Sequence, residues 1–228
     1  MLILTLFACT SVTDTYSEHY ESRSIRNLIA DVEDGNLNYQ ARPGDIDVRW
    51  TSKGWGRDEE IANRRQAGNS WEVTGTDSVL NILSSSSSGG RVDFELEGPS
   101  QMFTDLRLDD GSAHLDGLSG YQSVIADSIW IEGGSGGADL ISSGSVNADL
   151  HPNPGDTIII EGSDVTLDLP PGRYDLAVWA NPESVLEIDD FGFHHTAFGE
   201  GSFAAVSGDG AVRIDIFAEN SVTVRETW

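Results

Sequence analysis

Short runs of alternating apolar and polar residues, separated by Gly, Asp, Asn and Ser, fill the chain from residue 25 onward. Alternation at period two is typical of β-strands that bury one face. Such runs lie at residues 45–50, 92–96, 106–108, 128–131, 146–150, 165–169, 174–178, 185–188, 212–216 and 222–224. Every run is short, so the pattern predicts an all-β fold.

A serine precedes several of these runs at regular intervals. Ser112, Ser128, Ser145, Ser163 and Ser184 follow one another after 16, 17, 18 and 21 residues. A fixed period near 20 residues is the signature of a solenoid, in which each coil buries its apolar face against its neighbours. The spacing predicts a single-domain β-helix or β-solenoid over residues 25–228, with a repeat near 16–21 residues. A β-sandwich is the alternative, because two of its strands, spaced about 8–12 residues apart, would mimic one coil.

One segment, residues 58–65, has helical composition. Glu60 and Arg64 stand four positions apart in it. Opposite charges at this separation face each other on a helix and stabilise it. The segment is therefore either a short capping helix or a charged loop.

The chain opens with an apolar run, residues 1–8, that stops at Cys9, the only cysteine. The run is too short to span a bilayer, which takes about 20 residues, and fits the apolar core of a secretory signal. Residues 6–9, Leu-Phe-Ala-Cys, resemble a lipobox, in which the cysteine is acylated and becomes the N-terminus. We expect a signal at residues 1–9, membrane anchoring through lipid on Cys9, and a polar linker over residues 10–24. The alternative is an apolar N-terminus with a buried cysteine.

Composition adds a strong negative charge. The chain carries 38 acidic and 13 basic residues, a net charge of −25, and Lys53 is its only lysine. Such a surface repels nucleic acid and anionic lipid head groups, because both need Lys or Arg to neutralise phosphate. Nucleic acid is therefore not expected as a partner, whereas cations and basic partners are favoured.

Two groups of acidic and histidine residues are candidates for catalysis. One comprises Asp109, Asp110, His114 and Asp116, and the other comprises residues 189–190 with residues 194–195. Polysaccharide lyases and glycosidases use paired carboxylates, or a carboxylate-bound cation with a base. Asp-Asp pairs lie mostly in solvated turns, however, and a chain this acidic contains them by composition alone. We therefore expect no enzyme activity, no cofactor and no metal site, with a lyase or glycosidase as the alternative.

Six tryptophans stand out in a polar chain. Trp50 and Trp55 flank a turn that contains glycine, and exposed aromatic side chains stack on sugars or anchor protein partners. We therefore select Trp50 and Trp55 as candidate ligand-binding residues. The alternative places Trp50, Trp71, Trp130 and Trp179 in the core or in end caps.

Several motifs together resemble the bacterial putative adhesin family of exported proteins, whose members repeat Ser-Gly-Asp-like turns before short alternating strands. The resemblance covers most of residues 25–226 and rests on residues 44–48, 115–120, 168–172, 208–216 and 221–225. Residues 218–221 depart from it, because Ala-Glu-Asn-Ser replaces the last Ser-Gly-Asp turn. The resemblance implies a β-helix-like fold, export and a non-enzymatic binding or scaffold role at the cell envelope, with an envelope protein or polysaccharide as partner. It supplies no catalytic residues.

Overall fold

The computed structural model describes residues 10–22 and 24–227, apart from the side chains of residues 195 and 196. Within these residues almost all regular structure is strand, so the predicted all-β class is confirmed. One helix, α1, spans Glu59–Ala67. The strands are β1 (Thr10–Tyr20), β2 (Asn27–Asp34), β3 (Leu37–Ala41), β4 (Ile46–Gly56), β5 (Ser70–Gly75), β6 (Val79–Ser85), β7 (Gly90–Gly98), β8 (Phe103–Asp110), β9 (Ser112–Asp116), β10 (Gln122–Ser135), β11 (Ala138–His151), β12 (Thr157–Leu169), β13 (Tyr174–Ala180), β14 (Val185–Ile188), β15 (Phe193–Gly199), β16 (Ser202–Ser207) and β17 (Val212–Glu226).

Parallel pairing joins most of these strands into two ladders. Ladder A has the order β6–β2–β8–β10–β11–β12–β17–β13. Ladder B has the order β7–β3–β9–β10–β11–β12–β17–β14. The long strands β10, β11, β12 and β17 give their first half to ladder A and their second half to ladder B, and the register shifts between the halves. Both ladders belong to one sheet, which does not close on itself.

Each ladder buries every second residue, and the buried side chains of both form one hydrophobic core. Burying a Val, Leu, Ile or Phe side chain contributes about 1.5–3 kcal/mol, and β-branched residues fit the pleated surface of a strand. The alternating runs therefore become strands because their apolar positions stack in rows across the ladder. One such row in ladder B contains Phe94, Leu37, Ala113, Ile129, Val146, Val165 and Val222.

The order of the strands in the sheet differs from their order along the chain at both ends. β2 and β3 lie between β6–β7 and β8–β9, and β17 lies between β12 and β13–β14. The serine spacing therefore matches the register in the middle of the sheet, where Ser112 pairs with Ser128 and Ser128 pairs with Ser145. Ser163 stands one position before the partner of Ser145, and the strand that follows Ser184 pairs with β17 instead of β12.

Antiparallel strands extend both ladders at their ends. β5 pairs with β6, β4 with β7, β1 with β4, β16 with β13 and β15 with β16. The polar linker predicted for residues 10–24 is wrong over residues 10–20, because these residues form β1. Every residue of β1 pairs with β4, and Tyr16 packs on Trp50 and Trp71 with ring centroids 5.8 and 4.7 Å away. Most side chains of β1 are exposed on both faces, so the sequence lacks the alternation that marks a half-buried strand.

The helix that was one alternative for residues 58–65 is present as α1. Asp58 caps it, because the backbone N–H of Ile61 donates to Asp58 Oδ1 at 2.9 Å. Arg64 donates to Glu60 Oε1 at 3.1 Å, as their spacing predicts. The helix packs on β4, β1 and β7 with Ala62 fully buried, so it covers this antiparallel end of ladder B.

The backbone is tightly packed where the chain passes from ladder A to ladder B, at the β2–β3 and β8–β9 connections. A Cβ atom placed on Gly111, in the β8–β9 connection, would lie 1.8 Å from the carbonyl oxygen of Gly35, in the β2–β3 connection. Backbone hydrogen bonds hold this corner together: Gly35 N–H donates to Asp110 O at 3.0 Å, and Asp127 N–H donates to Gly111 O at 2.9 Å. Residue 111 must therefore be glycine, because any side chain would push the two connections apart.

We expect Gly111→Ala to lower the free energy of unfolding by about 3 kcal/mol, the upper part of the range for overpacking. Gly162→Ala is the control, because its Cβ would meet the nearest atom, Val146 Cγ2, at 3.3 Å. That control should cost less than about 1 kcal/mol, the cost of a small adjustment of a flexible side chain. Urea unfolding followed by circular dichroism measures both, and equal stability of the two variants would contradict the close approach at residue 111.

Asp93 connects three segments at the β4–β7 end of ladder B. Its carboxylate accepts hydrogen bonds from Lys53 Nζ at 2.7 Å, Arg91 Nε at 2.7 Å and the backbone N–H of Asn36 at 3.0 Å. Burial acts to raise the pKa of Asp93, but these bonds and the charges of Lys53 and Arg91 outweigh burial, so the pKa lies below its ordinary value. The ionised carboxylate is therefore the form that stabilises the fold.

We expect Asp93→Asn to destabilise the fold by about 2 kcal/mol at pH 7, as for hydrogen bonds to a charged group. The folded pKa is lower than the unfolded value of about 3.9, so this stabilisation is complete above about pH 4 and is lost as the pH falls through the folded pKa. The stability difference between wild type and Asp93→Asn should therefore shrink below pH 4 in urea titrations. Asp105→Asn, an exposed carboxylate on β8, is the control for removal of one charge. A difference that stays constant with pH would contradict the role of the ionised carboxylate.

Candidate binding face

An exposed row of side chains crosses the outer face of ladder B, with a tryptophan at its centre. Trp130 on β10 is 52% exposed. Its register neighbours are His114 on β9 and Asn147 on β11, and the row continues to Asn38 on β3 and Thr166 on β12. We call these five residues the Trp130 row. Its members point outward because their neighbours in sequence, such as those on either side of Trp130, fill the core.

Polar atoms surround the indole ring of Trp130. The imidazole of His114 lies 6.2 Å from the indole, centroid to centroid, and its Nε2 atom is 3.6 Å from Glu132 Oε1. Asp116 pairs in register with Glu132, which places a second carboxylate on the same outer face. The depression around the indole is lined by Asn38, Ser112, His114, Ser128, Glu132, Ser145 and Asn147, together with Trp130 itself.

This combination suits a ligand with both apolar and hydroxylated surfaces. An exposed indole offers a flat apolar face, while the neighbouring amide, hydroxyl and imidazole groups offer hydrogen-bond donors and acceptors. A pyranose ring has the same division, because its C–H groups form an apolar face and its hydroxyls lie at the rim. Parallel strands repeat about every 4.8 Å, so the Trp130 row is an extended platform.

The two tryptophans selected from the sequence lie elsewhere. Trp50 is only 5% exposed, on β4, and packs against Tyr16 and Trp71 in a cluster of three aromatic rings. Trp55 is half-buried on the same strand. Trp50 and Trp55 are five residues apart on one continuous strand, so they point to opposite faces instead of flanking a turn. The structure therefore does not bring Trp50 and Trp55 together.

The sequence around Trp130 contains a signal for its exposure that does not depend on a nearby turn. Ile129 and Ile131 are each 1% exposed. Because side chains alternate along a strand, a tryptophan between two buried isoleucines must point to solvent. Trp179 on β13 follows the same rule, with Val178 buried and Trp179 44% exposed. Of the two placements in that alternative, core or end cap, the core is therefore wrong for Trp130 and Trp179.

The first candidate catalytic group is divided between two strands. His114 and Asp116 lie on the outer face of β9, beside Trp130. Asp109 and Asp110 end β8, where Arg107 donates to Asp109 Oδ1 at 2.9 Å. Burial raises the pKa of Asp34; the charge of Arg91 opposes this, and the charge of the register partner Asp110 adds to it. The structure thus joins two of the four predicted residues to the Trp130 row.

The second candidate catalytic group is divided between the connection after β14, which contains Asp189 and Asp190, and strand β15, which contains residues 194 and 195. Asp190 Oδ1 accepts from the N–H of Gly192, and Asp189 Oδ2 accepts from the N–H of Glu226, each at 2.9 Å. Both aspartates therefore bind the backbone, and the side chain of His195 lies outside the described part of the structure. Among residues 10–22 and 24–227, no group of three or more His, Cys, Asp or Glu side chains is arranged to hold a metal ion.

The predicted signal segment and its lipidation site, Cys9, also lie outside the described residues. Thr10, the first residue that the structure describes, pairs with Gly56 at the first position of β1. Within the described part of the chain, no helix has the length and apolar character needed to cross a membrane.

Comparison with known proteins gives weak similarity only. No protein-family model matches the sequence, and no curated protein matches it significantly. The structure is similar to a putative cell adhesion protein from Clostridium sporogenes, with a TM-score of 0.48, 13% identity and coverage of 95% of this chain and 100% of that one. It is also similar to putative adhesins from Bacteroides fragilis (TM-score 0.33, 9% identity, 92% and 96% coverage) and Parabacteroides distasonis (0.27, 11%, 95% and 97%). TM-scores under 0.5 at these identities establish neither a common fold nor a common function.

Proposed function

We propose that the protein is a non-enzymatic, adhesin-like binding module of the cell envelope that binds a polysaccharide on the Trp130 row. The observation that carries this proposal is the exposure of Trp130, 52%, at the centre of a row of hydrogen-bonding side chains. Large aromatic side chains that are exposed on a flat face supply much of the binding energy at recognition sites. A tryptophan that served only to pack the core would be buried, so packing does not explain the exposure of Trp130.

Charge restricts the class of polysaccharide. Residues 99–228 contain 22 acidic and four basic residues, so they account for −18 of the net charge of −25. A field of this sign repels anionic polymers and attracts cations. The ligand is therefore an uncharged or a basic polysaccharide.

The fold is part of the same proposal. We describe the two ladders as a β-solenoid whose coils alternate between ladder A and ladder B. The in-register serines, Ser112 with Ser128 and Ser128 with Ser145, support this description because they repeat at the same corner of consecutive layers. Such stacking produces extended faces that are suited to linear polymers.

The location at the envelope depends on the proposed signal and on acylation of Cys9. Strand β1 begins at the next residue and is paired with β4 along its whole length. Lipid on Cys9 would therefore hold the folded body next to the membrane, without a flexible linker, at the end covered by α1. The membrane, through this lipid, and an envelope polysaccharide are the proposed partners.

We expect the wild-type protein to be retarded in native affinity gels that contain at least one uncharged or cationic polysaccharide, from a panel of β-glucan, mannan and chitosan. Trp130→Ala should weaken that binding about tenfold or more, as for removal of a central aromatic contact. Trp179→Ala is the matched control, because Trp179 has similar exposure on the other ladder. Circular dichroism checks that both variants are folded.

Two outcomes would overturn this proposal. One is equal retardation of wild type and Trp130→Ala, and the other is no retardation of wild type by any of these polymers. The same incubations test the lyase or glycosidase alternative through release of reducing ends and of unsaturated products. Release of products that disappears in Glu132→Gln would show that the protein is an enzyme and not only a binding module. Glu132 is the residue to test because it pairs with Asp116 and lies beside His114.

We expect incorporation of a clickable palmitate analogue into the full-length protein in cells, and no incorporation into Cys9→Ala. Acylation needs the thiol, and Cys9 is the only cysteine of the chain. Membrane fractionation should find the wild-type protein in the membrane fraction and Cys9→Ala in the soluble fraction. Absence of label in both proteins would refute the lipid anchor and leave the polysaccharide proposal to be decided by the gels.

A further inference from the structure

The outer face of ladder A is apolar to an unusual degree. Seven of the eleven large hydrophobic side chains that are exposed in the described part of the chain lie on it or at its margin: Ile29, Leu83, Phe103, Tyr121, Ile125, Trp179 and Phe217. Scattered exposed apolar residues are normal on soluble proteins, but contiguous groups mark sites of interaction. The Trp130 row belongs to ladder B and therefore does not account for this face.

One row concentrates the apolar side chains. Ile125, Ile141, Glu161, Phe217 and Trp179 are register neighbours on β10, β11, β12, β17 and β13. The rings of Trp179 and Phe217 are stacked, with centroids 4.8 Å apart and planes at 9°, although both remain at least 40% exposed. The stacked pair is therefore preorganised as a rigid anchor, which reduces the entropy lost on binding.

Carboxylates are interspersed with these apolar groups. Glu161 pairs in register with Phe217, and a depression beside the pair is lined by Glu161 and Glu219. Asp105 and Asp139 lie in the next outward row. The nearby arginines are neutralised: Arg107 binds Asp109 at 2.9 Å, and Arg213 binds Asp215 at 2.8 Å. The face is thus both apolar and negatively charged.

Charge complementarity decides what covers such a face. A second copy of this chain carries the same charge of −25 and would be repelled, as would an anionic lipid surface. A basic polypeptide with apolar side chains satisfies both properties, because its cations pair with the carboxylates and also stack on indole and phenyl rings. Such a segment would cover the apolar side chains of the face and pair with its carboxylates.

We propose that the outer face of ladder A is a docking surface for a basic, amphipathic segment of a partner protein, anchored on Trp179, Phe217 and Glu161. The apolar side chains of the partner cover the row from Ile125 to Trp179, and its Lys or Arg side chains lie at Glu161 and Glu219. The surface is separate from the Trp130 row, so the protein can hold a polysaccharide and a protein at the same time.

The test uses fluorescence anisotropy with a labelled peptide in which Arg alternates with Leu, and a second peptide with Glu in place of Arg. The wild-type protein should bind the Arg peptide and not the Glu peptide, with affinity that falls as salt rises. The double variant Trp179→Ala/Phe217→Ala should weaken binding about tenfold or more. Glu161→Gln should weaken it severalfold and reduce its salt dependence.

Matched controls separate this surface from the general negative charge. Glu187→Gln removes the same charge from an exposed position on ladder B, and Trp130→Ala removes an aromatic side chain from that ladder. Both should bind the Arg peptide like wild type. Unchanged affinity of Trp179→Ala/Phe217→Ala, equal losses in Trp130→Ala or Glu187→Gln, or no binding by wild type would each overturn the proposal. None of these outcomes depends on polysaccharide binding.

Discussion

Register in the parallel ladders is the constraint on which the other features of this protein depend. Each long strand carries one set of side chains into the core and the other set to solvent, and pairing in register aligns both sets across the sheet. A slip of one residue would exchange the two sets, placing Trp130 in the core and Ile129 and Ile131 in water. The burial of the aliphatic rows therefore fixes the position of every exposed row, including those that we propose bind ligands. The proposed recognition and the stability of the fold therefore have the same physical origin.

The charge distribution follows from this arrangement. Carboxylates occupy outward positions, where solvent screens them, but register also brings some into direct opposition, such as Asp116 with Glu132 and Asp149 with Asp168. Like charges opposite each other on neighbouring strands are destabilising, by about 0.2–1 kcal/mol per pair. The core must offset this repulsion. In return, a charge of −25 opposes edge-to-edge association of strands at the ends of the ladders, where unpaired backbone groups would otherwise favour aggregation.

The sequence alone predicts the features of the fold that depend on local patterns. Alternation identifies the strands, and residues 58–65 contain the capping aspartate and the ion pair of α1. Strand β1 escapes detection because its exposed side chains show no alternation, although pairing with β4 holds it in place. The insertion of β17 between β12 and β13 is invisible for a different reason. Any of several aliphatic strands would satisfy the same inward row, so sequence spacing cannot determine which strand becomes the neighbour.

The same reasoning explains why Trp50 and Trp55 do not form one exposed surface. Trp50 and Trp55 were selected for the glycine between them, yet Trp50 lies in an aromatic cluster with Tyr16 and Trp71 that depends on β1. Local sequence does not contain that tertiary contact. Trp130 required only the local rule of alternation, because the isoleucines on either side are core residues. Among the tryptophans of an all-β chain, exposure is therefore better judged from the two flanking residues than from nearby turns. The outer faces of the two ladders also differ in chemistry. Ladder B presents one indole among hydrogen-bonding groups, and ladder A presents stacked aromatic rings among carboxylates, so a single core supports two chemically distinct surfaces.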